Sequence, residues 1–483
     1  MSFFIYDIIF LIIFTLFVVF FLYKRKNNLK REMKIAFLYR TKFGIKFIDY
    51  IGKKYKKTIF FLRYLVIAIG YFLMAIVVYF LGQLVYSYVR YPQITQLIKA
   101  PPIAPVIPYF PKLFGLESFF PPFYFTYFLL GILIVATVHE FSHGIFAKAH
   151  NLKIKSTGFA FFGPLIGAFV EPDEKAMLKK PKIAQMSILG AGVFANIIVA
   201  IIFFFIWWGM FSATFVPVGA TFDGYSSAII NITGISMIDG IQVENPTREN
   251  ILNIIDNNEL TTDVNLEIDG DILALTSLKV GEEDFLTSVD ILKEDLEKGE
   301  LTAAYYDFPA INEGLRGDII EVNDLEIKTH RDLREVLNGK KPGEEINIKT
   351  NHEGEVLEYN LVLKEDPNQE GRGVLGIGNN LIGRMKVEDR FAFFKEPFTE
   401  YEGEHDFLEF IYYLVFWIFL LNLLVAFFNM LPFAIFDGGR FFYLTILGIT
   451  RSKKVARKVF RGVGIIILFA FILLMITWLV RVI

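Results

Sequence analysis

His139-Glu140-Phe141-Ser142-His143 follows directly on Phe128-Leu-Leu-Gly-Ile-Leu-Ile-Val-Ala-Thr-Val138, and both lie in one apolar run, residues 123–145. The reading of this stretch decides the fold. Residues four apart share a helix face, so the two imidazoles project together and can hold one metal ion. Glu140 stands beside them, placed to take a proton from an attacking water. The upstream residues have the apolarity of a membrane helix. Ionisable groups inside such a helix are costly and mark function by default. The bland alternative is a pair of core histidines capped by neighbours, with Glu140 paired to a lysine.

Working outward, the 483 residues are 54% hydrophobic and 16% aromatic. That is too apolar for a soluble chain and predicts a polytopic α-helical membrane protein. The net charge of −2 supplies no field to steer the chain toward nucleic acid, and no such partner is expected. The absence of cysteine excludes disulfides, thiolate catalysis and Cys-ligated zinc. Any metal must be held by carboxylates and by His139, His143, His150, His330, His352 or His405.

About six spans are expected, at residues 3–23, 59–89, 123–145, 183–210, 407–431 and 463–480. The first is apolar except for Asp7. The basic segment 24–57 belongs in the cytosol by the positive-inside rule. It reads either as a solvated loop or, through Phe43, Phe47, Ile48 and Ile51, as a stripe lying on the lipid surface. These readings give a multi-pass protein of the cell membrane, with the bilayer as partner and His139-Glu140-x-x-His143 toward the cytosolic side. Residues 91–122, rich in proline and aromatics, either dip into the outer leaflet or cap it. Residues 153–171 read as two short strands about Gly163-Pro164. They are too apolar for a solvated hairpin, and predict a re-entrant β-hairpin beside the site. In the fourth span Gly190, Gly192 and Ala195 permit close helix approach. Asn196 sits deep in it, either as interhelical glue or facing a ligand.

Residues 211–406 are different material, charged and alternating with glycine turns. They predict an inserted α+β soluble region on the extracytosolic side. Residues 308–378 resemble a PDZ domain, and a weaker copy runs from 227 to 275, which suggests tandem or split units at about 215–300 and 301–380. The domain plan is therefore 1–57, a first helix with the basic segment; 58–210, the first part of the membrane core; 211–406, the PDZ-like region; and 407–483, the second part of the core.

The fifth span is broken at Asn429-Met-Leu-Pro432-Phe-Ala-Ile-Phe-Asp437-Gly438-Gly439-Arg440. Pro432 stops the helix, and residues 441–450 continue it to a basic stretch, 451–461. A hydrolytic zinc site needs three protein ligands and an open position. His139 and His143 supply two. His150 lies roughly 10 Å further along the helix than His143, too far for the same ion. Glu171 and Glu174 serve if the hairpin folds back. Asp437 is favoured, because a carboxylate in that apolar setting is expensive without a cation or donor.

With His139-Glu140-x-x-His143, Asn429-x-x-Pro432-x4-Asp437-Gly438 and Gly192-Val-Phe-Ala-Asn196 on the page, the chain resembles the site-2 protease family of intramembrane zinc metalloproteases. The third motif lacks the family's common proline. The resemblance covers the third span through Arg440. It implies one Zn2+ held by His139, His143 and Asp437, with Glu140 as general base, and transmembrane proteins as substrates, cut within or near the bilayer in regulated intramembrane proteolysis. It also implies contact of Asn196 and Asn429 with the substrate or oxyanion. Rival readings are a catalytically inactive PDZ-bearing adaptor, a metal transporter, or a peptidase trimming prenylated proteins with Glu171 or Glu174 as third ligand.

Overall fold

The computed structural model describes residues 3–26, 29–32, 36–90, 101–103, 106–117, 119–163, 165–222, 224–258, 260–261, 264–268, 271–378 and 391–482. The proline-rich stretch 91–122 falls partly outside these residues. The chain forms two compact units. One combines Met1–Thr214 with His405–Ile483, and the other begins at Phe215 and ends at Glu404.

In the first unit the chain runs α1 (Phe3–Lys24), β1 (Leu29–Glu32), β2 (Ala36–Thr41), α2 (Ile45–Lys54), α3 (Lys56–Arg90), α4 (Phe125–Ala149), β3 (Ile154–Phe162), β4 (Leu165–Pro172) and α5 (Lys182–Thr214). After the second unit it resumes with α6 (Asp406–Asn429), α7 (Asp437–Thr450) and α8 (Lys453–Val482). Among the described residues six helices are long and apolar enough to cross a membrane: α1, α3, α4, α5, α6 and α8. They match the six expected spans. The most apolar windows of α1 and α8 are each only 11% buried, whereas that of α6 is 56% buried. So α1 and α8 are peripheral, and α4, α5 and α6 form the centre, with Trp207 of α5 buried against Phe416 and Phe419 of α6. The break in the fifth span is where expected. The backbone passes through tight turns from Met430 to Phe436 before α7 begins.

Asp7 explains its own presence in an apolar span. It is 1% exposed and accepts from Phe125 N at 2.7 Å, Thr126 N at 3.0 Å, Thr126 Oγ1 and Tyr109 Oη. Tyr124, at the start of α4, offers no side-chain cap. A helix leaves its first N–H groups without intrahelical partners, and here a carboxylate from another helix satisfies two of them.

The first part of the basic segment departs from the loop expectation. Residues 29–41 contain two strands that join the hairpin, giving a four-stranded antiparallel sheet in the order β1-β2-β3-β4. Tyr39 opposes Phe159 and Phe37 opposes Phe161. α2 is amphipathic, but its Ile48 is fully buried and Asp49 pairs with Lys148 of α4 at 2.8 Å. Lys30 and Arg31 lie in β1 and Arg40 in β2, and β2 pairs with β3 more than a hundred residues away. One consequence is that β3 is covered on both sides, and β4 is the edge strand.

The second unit carries two antiparallel sheets that repeat one motif. In the first, Ile235–Ile238 turns back into Ile241–Gln242, a helix follows at Arg248–Asn257, and Asp271–Val280 pairs with Glu283–Thr287. In the second, Asp318–Val322, Leu325–Glu326, His330–Leu337 and the hairpin Glu345–His352 with Glu355–Val362 take the same places. Both tight turns have two positive φ values, at Asp239-Gly240 and Asn323-Asp324, the conformation that matches strand twist in a two-residue hairpin. Both helices are capped by threonine, Thr247 and Thr329. The units are nested rather than serial. Phe215–Ala220 pairs with Asp318–Val322 and with Thr399–Gly403, so it belongs to the second sheet. Leu301–Tyr306 pairs with Ser227–Asn231, so the first sheet extends past the expected boundary at 300.

Candidate metal centre

α4 presents His139 and His143 one turn apart, as the spacing requires. α7 presents Asp437 from its first turn, where the helix dipole favours a negative charge. Asp437 Oδ2 lies 3.1 Å from His139 Nε2 and 3.1 Å from His143 Nε2, and the two Nε2 atoms are 3.0 Å apart. Among the described residues this trio is the group of ligand atoms close enough to share one ion. Ligands of a tetrahedral zinc ion, bound at about 2.0–2.2 Å, stand roughly 3.3–3.5 Å apart. The triangle fits after opening by a few tenths of an ångström. Two imidazole nitrogens and a carboxylate oxygen are the donor set such an ion takes, and the Asp437 side chain keeps 24% of its surface exposed.

Several contacts hold α7 in place. Lys182 Nζ donates to Leu447 O at 2.9 Å, and the Tyr71 and Thr445 hydroxyls meet at 2.8 Å. Gly438 packs so tightly on the preceding turn that a Cβ would lie 2.3 Å from the Met430 carbonyl carbon. Glycine next to Asp437 is thus a requirement of close backbone approach.

The histidines are oriented from behind. His143 Nδ1 donates to Ile188 O at 2.6 Å, which leaves Nε2 free to ligate. His139 is 7% exposed, and its ring lies flat against Gly192. A Cβ there would come within 2.6 Å of the ring's Cε1 and Nε2. Glu140 Oε2 accepts from Val170 N of β4 at 3.0 Å, so the carboxylate beside the candidate ligands is bonded to the hairpin's edge strand.

The remaining candidates fall elsewhere. Asn196 contacts His139 Nδ1 at 3.2 Å. Asn429 ends α6 half-buried, and its amide makes no hydrogen bond to the trio. His150 bonds Ser187 Oγ and packs at a tilt against Phe60. Glu171 accepts from Ser156 Oγ and pairs with Arg40, and Glu174 pairs with Arg440. Neither glutamate reaches the trio, so the hairpin supplies no third ligand. Sequence reading missed Ile188 O and Val170 N because backbone groups carry no residue-type signature.

Comparison with known proteins agrees with this geometry. Residues 127–475 match peptidase family M50, a span that contains His139, Glu140, His143 and Asp437. Over 72 residues the chain is 40% identical to an uncharacterized protein of Methanocaldococcus jannaschii. That similarity covers 15% of this chain and 20% of the relative, so it spans about a fifth of the relative's length.

Proposed function

The chain belongs to peptidase family M50, a family of membrane-embedded metalloproteases, and from that membership we propose that it is a zinc endopeptidase cutting membrane proteins within or near their transmembrane segments. The observation that carries this reading is the meeting of His139 and His143 with Asp437, 294 residues beyond His143. A transporter reading leaves Glu140 without a task, and an inactive adaptor leaves the intact ligand trio without one.

Bound by the trio, zinc supplies Lewis-acid chemistry: it lowers the pKa of a water to about 7 and polarises a carbonyl. Glu140 takes the proton from the attacking water and returns it to the leaving amine, the usual division of labour for a general acid–base residue. Val170 N holds one Glu140 oxygen, which leaves the other to face the water. The cytosolic side is the proposed side of the catalytic residues, supported by the basic stretches 24–57 and 451–461.

A helical substrate hides its carbonyls and must unwind before cleavage. We assign the receiving surface to the outer edge of β4, in a hairpin that re-enters the membrane beside the site. In an antiparallel ladder alternate residues turn their N–H and C=O groups outward. Val170 N points out to Glu140, so Ala168 and Ile166, two and four residues earlier, also point out. An unwound substrate strand pairs there by β-augmentation. The two repeated motifs of the second unit are read as PDZ-like domains on the extracytosolic side. They border a cavity of about 310 Å3 that Phe308, Leu337, Arg372 and the segment Gly373–Ile377 help to line. We propose that it screens substrates, by size or by taking a chain terminus.

The test is cleavage of single-span proteins by the purified chain, wild type against Glu140→Gln. The expected result is zinc content unchanged and cleavage lost. Cleavage at the wild-type rate by the variant refutes the reading.

A further inference from the structure

We propose that Asn196 is the positioning residue that fixes His139 in its metal-binding tautomer, its Oδ1 accepting a hydrogen bond from His139 Nδ1–H. This rests on the zinc reading above. A neutral imidazole carries one proton, so it can ligate through Nε2 only when that proton sits on Nδ1. His143 meets the condition through Ile188 O. His139 has no carbonyl in that place. Its Nδ1 faces the Asn196 side-chain amide at 3.2 Å, and Asn196 is wholly buried in α5.

The two orientations of that amide have opposite consequences. With Nδ2 toward the ring the amide donates, and the ring's own proton is driven to Nε2. Nε2 is the atom that lies 3.1 Å from Asp437 Oδ2 and 3.0 Å from His143 Nε2. In this orientation Oδ1 is buried and has no hydrogen-bond partner. A half-turn about the Cβ–Cγ bond exchanges the two amide atoms at almost the same positions. Oδ1 then accepts from Nδ1–H and gains the partner it lacks, while Nε2 presents its lone pair to the trio. One rotation gives the orphaned oxygen a partner and the ring its ligating tautomer, and Nδ2 takes the place that Oδ1 held. Gly192, four residues before Asn196, receives the face of the same ring, so α5 sets both the plane and the protonation of His139. Asn196 therefore acts on the metal through His139, a different part from the oxyanion contact that the family resemblance implies.

Zinc dissociation constants of the full chain in lipid nanodiscs, measured by competition with a chromophoric chelator, test the proposal. Asn196→Leu, which removes the acceptor, is expected to bind zinc about 10–100-fold more weakly, the usual effect of losing a partner of a metal-bound histidine. Asn196→Asp, which can only accept, is expected to recover most of that affinity. A purely structural role predicts the reverse order, because a carboxylate buried between apolar helices is costlier than leucine. Wild-type affinity in Asn196→Leu, or Asn196→Asp weaker than Asn196→Leu, overturns the proposal. A second measurement needs no variant: 15N spectra of the histidine-labelled chain before zinc is added. A protonated Nδ1 on both ligand histidines supports it, and a bare Nδ1 on His139 overturns it. A wild-type chain that binds no zinc overturns instead the zinc reading on which the proposal stands.

Discussion

Gly192→Ala is expected to damage the metal centre without adding or removing any polar group. The new methyl carbon would stand 2.6 Å from two atoms of the His139 ring and 2.7 Å from a third, where ordinary contact begins near 3.4 Å. The ring must retreat by about 0.8 Å, several times the roughly 0.2 Å tolerance of a metal–ligand distance. Overpacking of a tight interior costs about 1–3 kcal/mol. Borne by the ligand alone, that corresponds to a loss of zinc affinity of about 5–150-fold, at roughly 1.4 kcal/mol per factor of ten. Turnover suffers further, since misplacing a reacting group by an ångström can cost about 100-fold. The assay is chelator competition for zinc together with cleavage of a single-span substrate. Gly209→Ala is the control: it lies in the same helix, and nothing stands within 4 Å of its Cβ. If Gly192→Ala keeps the zinc affinity and turnover of that control, the crowding argument fails.

Three further perturbations follow from the same structure. Ala168→Pro removes an outward N–H from β4, and is expected to abolish cleavage while zinc content is unchanged; normal cleavage would exclude strand pairing at that edge. Asp7→Leu leaves buried donors at Phe125, Thr126 and Tyr109 unpaired, at about 1–3 kcal/mol for such a group, so thermal unfolding in detergent should occur at a markedly lower temperature, with Asp7→Asn between the two. In the second unit, burial and then the nearby Glu400 push the Asp318 carboxyl up to about 6. A raised folded-state pKa gives stability that is full below the ordinary carboxylate range and is lost as pH rises through 6. Asp318→Asn should therefore slow hydrogen exchange around residues 318–322 relative to wild type above pH 6 and leave it unchanged near pH 4.

Much of this molecule is written in local pattern. The spans are legible because apolarity over some twenty residues has few other uses, and the helix break because Pro432 lacks an N–H. His139, Glu140 and His143 are legible from one turn of helix. Asp437 is legible only because a carboxylate is out of place in its surroundings. What stayed hidden is long-range pairing. Nothing in Ala36–Thr41 announces β3 as its partner, and the lysines and arginines of the segment mimic a loop. The nesting of the soluble sheets was hidden for the same reason: Phe215–Ala220 finds its partners beyond an interposed motif. The task of Asp7 was invisible too, since it serves a helix that begins more than a hundred residues later.

Phe215–Ala220 and Thr399–Gly403 run side by side, with Phe215 opposite Gly403 and Ala220 opposite Thr399. The strand that departs and the strand that returns thus form a ribbon at the edge of the second sheet, which Asp318–Val322 continues. Everything from residue 221 to 398 hangs on it as a loop hangs on a hairpin. A short turn joining Ala220 to Thr399 would close the ribbon on itself and delete the whole insertion, leaving Phe215 and Gly403 as neighbours. The inserted region is then a cassette, and exchanging it for another need not disturb the apolar helices.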